Sequence, residues 1–285
     1  MPTHSVTRTA FAPGKIILSG EYAVVFGKPG IAVPTKRGFT ATFTEDLRAT
    51  ALAIRWPESH LLWKEYIGKI VTLCLEREDH FFGTLDLKST LPMGKGMGSS
   101  TAAIVAVCRA LLGEDCKATA LHIEDTLNPG HSGIDFATVW HAMPVEFQKG
   151  EELKTLRLEY DLLTNAILID TGTPSEATPE LVSWMREKHE EIEGAIHAIG
   201  TCTERLIAGE SPVTVLRDHH RAQVTLGIVP EEVQAMIAAI ERTGGAAKVI
   251  GAGGRAGGAG MVVAIGENID SIRTAIPTHF DTIDA

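Results

Sequence analysis

The chain is poor in cysteine, in aromatic residues and in basic charge, and each shortage narrows what it can be. Its four cysteines, Cys74, Cys108, Cys116 and Cys202, are irregularly spaced and form no C-x-x-C pair. This favours free thiols in a reducing compartment over a disulfide framework. Lys and Arg number 26 against 36 Asp and Glu, a formal charge of −10. A nucleic-acid binder needs a basic surface, so no nucleic-acid partner is expected. No apolar run approaches the roughly 18 residues of a membrane span, and the first residues lack the apolar core of a signal peptide. The expectation is a cytoplasmic protein with no membrane partner. The eleven histidines show no H-E-x-x-H or other ligand spacing. His219 and His220, adjacent on a helical stretch, point to different faces, so no zinc site is expected.

What the chain does have is glycine in clusters. In Leu91-Pro92-Met93-Gly94-Lys95-Gly96-Met97-Gly98-Ser99-Ser100-Thr101-Ala102-Ala103, three glycines alternate ahead of two serines and a small, apolar run. Such a loop can turn its N–H groups inward around a ligand. Ser99 and Ser100 are good N-cap types for a buried helix over Thr101 to Leu112. Free donors and a partial positive charge at that helix start make loop and helix together an anion site. The loop is not a Walker A motif, because no Ser or Thr follows Lys95. Nor is it a nucleophile elbow, because neither serine lies in G-x-S-x-G. A bare turn would need fewer glycines and no caps.

At 285 residues, 44% hydrophobic and 22% charged, the chain can bury one large core or two modest ones. Residues 7 to 12, Ile16 to Leu18 and Phe39 to Phe43 read as strands, with Gly- and Pro-cut apolar runs from Gly20 to Pro34 between them. His60 to Arg77 has helical spacing, and Thr84 to Ser89 is a strand leading into the glycine loop. Ala118 to Leu127 is a helix stopped by Asn128-Pro129-Gly130. After a buried strand at Ala166 to Asp170, Pro179 to Gly209 reads as one long amphipathic helix and Pro230 to Arg242 as another. Ala247 to Ile250 and Met261 to Ile265 are short strands around Gly251 to Gly260, and Asn268 to Ile276 is a last helix before an edge strand. Without a regular βαβ repeat, the expected class is α+β with two lobes, residues 1–172 and 173–285.

Gly251-x-Gly253-x-x-Ala256 matches a loose dinucleotide fingerprint, but a strand follows it rather than a helix, which argues against a Rossmann site. It reads as a connector or as a place for close approach to a ligand. Ser132-Gly133-Ile134-Asp135 taken alone is a turn, Glu124 alone a solvated helix residue, and Lys15 alone unremarkable.

Taken in order, Ala12-Pro13-Gly14-Lys15 through Gly20-Glu21, then Pro92 to Ala103, then Gly251 to Gly254 resemble the three motifs of the GHMP kinase superfamily. Gly20-Glu21-Tyr22-Ala23-Val24-Val25-Phe26-Gly27-Lys28-Pro29 is similar to the first motif of its mevalonate kinase branch, G-E-H-A-V-V-Y-G-x-P. Ser132-Gly133-Ile134-Asp135 is similar to that branch's S-G-[IVL]-D. Leu168 to Gly172 with Thr178 resembles its A-D-T-G segment followed by a threonine.

The resemblance implies an N-terminal lobe like ribosomal protein S5 domain 2 and a ferredoxin-like C-terminal lobe, with ATP and an alcohol acceptor, mevalonate, between them. It implies that Pro92, Met93, Gly94, Lys95, Gly96, Met97, Gly98, Ser99, Ser100 and Thr101 cradle the nucleotide. It further implies that Ser100 (or Ser99) with Glu124 holds Mg²⁺, that Asp135 takes the acceptor's proton and that Lys15 stabilises charge beside it. Lys15, Glu21, Tyr22, Asp135, Thr171 and Gly253 would line the acceptor site. A homodimer is usual in the family. Such roles suit phosphoryl transfer, which needs charge neutralised and a hydroxyl held in line. Three departures bear on the acceptor. Tyr22 replaces the usual His of the branch, as in many phosphomevalonate kinases. Lys95 and Arg255 stand where Gly or Ala, and Gly, are usual. Phosphomevalonate as acceptor, or a silent nucleotide-binding protein of the same fold, are the rival expectations.

Overall fold

A computed structural model describes residues 6–56, 61–76, 80–156 and 166–284. The N-terminal half is built on a long antiparallel pair, β1 (Thr7–Ser19) with β2 (Gly30–Glu45), joined by a turn and a short 3-10 helix at Ala23–Phe26. The two strand-like runs expected before residue 19 are one strand. Pro13-Gly14 does not end it but sits at a register shift between Pro13 and Lys15. A bulge re-aims the side chain that follows it, and that side chain is Lys15.

β2 also pairs with β4 (Gly83–Ser89) and β5 (Val145–Phe147). β3 (Leu52–Arg55) lies parallel to β4, and β6 (Lys154–Thr155) completes the sheet beside β5. Against this sheet lie α2 (Ser99–Leu112) and α4 (Ile134–His141), with α1 (Leu61–Leu75) and α3 (Lys117–Leu127) packed on α2. The end residues of the helix expected at His60 to Arg77 fall outside the described residues.

α2 is the hub. Its run of Ala, Ile, Val and Cys is buried almost all round, because small side chains let the helix approach β1 and β2 while also touching α1, α3 and α4. Ile104, Val107 and Leu111 are each fully enclosed, worth about 1.5–3 kcal/mol apiece.

The second sheet runs in the order β10 (Asp281–Asp284), β7 (Ala166–Asp170), β9 (Met261–Ile265), β8 (Ala246–Val249), antiparallel throughout. α5 (Thr178–Glu187), α6 (His189–Ile207), α7 (Pro212–Thr225), α8 (Glu231–Arg242) and α9 (Ile269–Ala275) accompany it. On β7, Ala166 and Leu168 face the first core, while Ile167 and Ile169 face the core formed with α5 to α8. A strand covered on both sides reads as continuous apolar sequence. The expected boundary at 172/173 assigns β7 to the first lobe, yet β7 is hydrogen-bonded into the second sheet.

The single helix expected over 179–209 is two helices, α5 and α6, meeting at Lys188. Continuing α5 would carry position 188 onto the apolar face between Met185 and Ile192. The chain bends instead, and the Lys188 ammonium donates to Glu191 at 2.8 Å. The described residues contain no helix long and apolar enough to cross a membrane.

Candidate active site

The three glycine-bearing segments meet at the start of α2. The backbone N–H of Lys15 donates to the Met97 carbonyl at 2.9 Å, tying the first segment to the second. Gly96 lies against Gly251, where a Cβ on residue 96 would come within 2.7 Å of the Ile250 carbonyl oxygen. Gly98, at φ 72°, is the N-cap of α2 and packs on the Lys15 side chain; no side chain caps the helix. Its first N–H groups therefore remain for a ligand.

Lys15 is buried, yet its ammonium reaches Asp135 Oδ1 at 2.9 Å. Asp135 lies in the first turn of α4, behind Gly133 at φ 99°. An acidic side chain there is favoured by the helix dipole. The bulge in β1 and the start of α4 thus place a cation and a carboxylate together from segments 120 residues apart in the chain.

Glu124, on α3, is 2% exposed. Thr101 Oγ1 donates to its Oε1 at 2.9 Å, whereas Oε2 meets no hydrogen-bond partner within bonding distance among the described residues. Burial pushes the carboxyl's pKa up, and the nearby Asp135 pushes the same way. An enclosed carboxylate oxygen without a partner, close to a second carboxylate, suits a cation. The two serines differ. Ser99 Oγ accepts the N–H of Gly94 at 3.0 Å, closing the glycine loop on itself. Ser100 instead lies beside Tyr66, whose hydroxyl accepts from Asn128 at 3.0 Å near Glu124. Ser100 therefore lies on the Glu124 side of the loop. Among the described residues no group of three or more His, Cys, Asp or Glu side chains could hold a metal. A cation here needs oxygens from its ligand to complete its shell, as Mg²⁺ on a nucleotide does.

A cavity of about 320 Å³ opens beside the loop, lined by Gly94, Lys95 and Gly96, the 173–178 turn and Gly253. Other expected acceptor residues are placed differently. Glu21 is buried with Lys248 Nζ on Oε1 and His219 Nε2 3.1 Å from Oε2. Burial alone would raise the Glu21 pKa, but Lys248 and His219 outweigh it and hold the carboxyl below its usual range. Thr171 donates its hydroxyl to the Gly260 carbonyl at 2.8 Å and accepts from the Ala259 N–H, fastening β7 to the third glycine segment. Tyr22, at φ 61°, donates its hydroxyl to the Ala252 carbonyl at 2.5 Å. The structure brings Glu21, Tyr22 and Thr171 to the seam between the lobes, with their polar atoms engaged by protein. Pro92 and Met93 lead into the loop half-buried, and Met97 is fully enclosed.

Sequence reasoning missed Lys248. Its ammonium, wholly buried, donates to the Ile17 carbonyl at 2.9 Å as well as to Glu21. The signal was a lone lysine in the apolar run Ala246-Ala247-Lys248-Val249-Ile250. It holds together the end of β1, two residues past Lys15, and the turn bearing Tyr22.

Known proteins resemble this chain in sequence and in fold. Residues 65–136 match the family described as GHMP kinases N terminal domain. A mevalonate kinase of Thermococcus sibiricus is 27% identical over 94% of this chain and 92% of its own length. Among solved structures, a mevalonate kinase superposes with a TM-score of 0.79 at 16% identity, covering 97% of this chain and 98% of the other. The L. major mevalonate kinase in complex with R-mevalonate gives 0.76 at 16%, covering 98% and 97%.

Proposed function

We propose that this chain, a member of the GHMP kinase superfamily most like the mevalonate kinases, transfers the γ-phosphoryl group of ATP to the 5-hydroxyl of mevalonate. The observation that carries the reading is the Lys15–Asp135 pair at the junction of the three glycine segments, beside an uncapped helix start. An alkyl hydroxyl is a poor nucleophile at neutral pH. Asp135 accepts its proton, and the Lys15 ammonium offsets the charge that grows on the oxygen. The α2 N-terminus and the glycine loop hold the phosphate chain. Ser100 and Glu124 would hold Mg²⁺, which when bound neutralises phosphate charge. The unpartnered Glu124 oxygen favours that assignment. The lobes are proposed to divide near residue 172 at the level of the chain, with β7 contributing its strand to the second.

The Tyr22 hydroxyl donates to the Ala252 carbonyl, so its proton is not offered to a phosphorylated acceptor. ADP release with mevalonate, phosphomevalonate, homoserine and galactose offered in turn tests the reading. Release with mevalonate is expected. Release only with phosphomevalonate would move the acceptor one step along, and none with any of the four would remove the enzyme.

A further inference from the structure

The departure at position 95 finds its partner across the seam between the lobes. Lys95 stands in the glycine loop between Gly94 (φ 73°) and Gly96 (φ 84°). Its Nζ lies 2.7 Å from both carboxylate oxygens of Asp170, the last residue of β7. We propose that Lys95 and Asp170 form a latch between the lobes that the anionic chain of a nucleotide opens, Lys95 passing from the carboxylate to a phosphate. The inference rests on the reading of residues 92–100 as the phosphate loop.

Three observations support exchange over a fixed strut. First, the pair is 24% and 27% exposed, so water and an incoming anion can reach it. Second, Asp170 keeps a partner when Lys95 leaves, because its Oδ1 also accepts the Gly172 N–H at 2.9 Å. Third, among the described residues Lys95 is the sole basic one lining the cavity of about 320 Å³, which Glu176 also lines. Arg255, nearby in sequence to Gly253, lays its guanidinium over Trp184 at 4.7 Å. A polyphosphate entering this cavity therefore meets Lys95 as a cation able to turn to it. A triphosphate carries more charge than the carboxylate it displaces, and its hydrogen bonds to an ammonium are charge-assisted.

Binding of ATP and AMP, measured by calorimetry without acceptor, tests the latch on wild type, Lys95→Met, Lys95→Arg, Asp170→Asn and the double variant Lys95→Met with Asp170→Asn. Lys95→Met is expected to weaken ATP about tenfold, the scale of one charge-assisted contact, and to change AMP by less than about twofold on the same scale. Asp170→Asn removes the competitor and should tighten ATP about threefold. The double variant should bind like Lys95→Met alone, because without the lysine the carboxylate has nothing to withhold. Lys95→Arg should keep ATP affinity near wild type. Unchanged ATP affinity in Lys95→Met overturns the latch. So does Asp170→Asn weakening ATP as far as Lys95→Met, which would make Asp170 a support for the loop. Wild type failing to bind ATP at all removes the nucleotide reading itself, and the latch with it.

Discussion

Lys15 Nζ stands 2.9 Å from Asp135 Oδ1, the lysine 2% exposed and the aspartate 31%. The cation is thus fixed from behind by the fold while the carboxylate keeps an open edge. A base needs such an edge to reach a substrate proton, and a charge stabiliser benefits from being held still.

Replacing Asp135 by Asn should therefore remove the base and leave the cradle. We expect kcat to fall by about 10²-fold or more, the scale of a lost general base, with ATP affinity nearly unchanged. ADP release and direct ATP binding on the same preparation check both halves. A kcat within a few-fold of wild type would take Asp135 out of the mechanism.

The two serines of the loop should separate. Ser99 Oγ closes the loop by accepting the Gly94 N–H, while Ser100 lies on the Glu124 side near Tyr66. Ser100→Ala is expected to raise the Mg²⁺ concentration for half-maximal activity by about tenfold, as loss of one oxygen ligand would. Ser99→Ala is expected to lower melting temperature and ATP affinity with little change in the Mg²⁺ requirement. Metal titrations of activity beside thermal melts distinguish the two; the opposite pattern would exchange their roles.

Much of this site could be read from the sequence because its chemistry sits in local patterns. Alternating glycines and paired serines announce a backbone role within a few residues, whereas Ser132-Gly133-Ile134-Asp135, Glu124 and Lys15 gain theirs only through the family resemblance. The fold class followed from interspersed strands and helices, and the burial of β7 from its unbroken apolar run. What was hidden is long-range. Nothing near Glu21 says that Lys248 and His219 will cover its carboxylate, and nothing near Lys95 names Asp170. The break at Lys188 was missed because apolar periodicity registers the faces of a helix but not the cost of one lysine falling on the wrong face. Pro13-Gly14 looks like a stop and splits β1 into two pieces in the sequence, whereas a bulge accommodates both residues within one strand.

Lys248 and Glu21 form a buried ion pair that joins the lobes, and such pairs are costly to break and cheap to replace as a unit. Lys248→Met leaves the Glu21 charge enclosed and should cost about 3–5 kcal/mol of stability. Changing Glu21 to Gln in the same chain should recover most of that loss. Urea unfolding of wild type, both single variants and the double variant measures the coupling directly. Simple additivity of the two single losses would show that the pair is not acting as a unit.

His220 supplies a pH dependence of folding. It is 7% exposed, and burial, with His219 and Arg221 adding repulsion, lowers its pKa from 6.5 to about 4. Between those values the unfolded chain binds a proton that the folded chain refuses, so stability falls as the pH drops from about 6.5 toward 4 and then levels off. At neutral pH the shift corresponds to a contribution on the order of 3 kcal/mol that acid removes. His219, whose pKa burial also lowers, adds to the same slope. The charged groups facing this pair are Glu21 and Lys248 from the seam and Arg221 from α7 itself. His220→Gln should be somewhat less stable than wild type at pH 7.5, having lost a fitted side chain, but should lose less on acidification. Urea midpoints at pH 7.5 and 4.5 test this. Equal losses in the two proteins would mean that His220 is protonated in the folded state or is not the group that titrates.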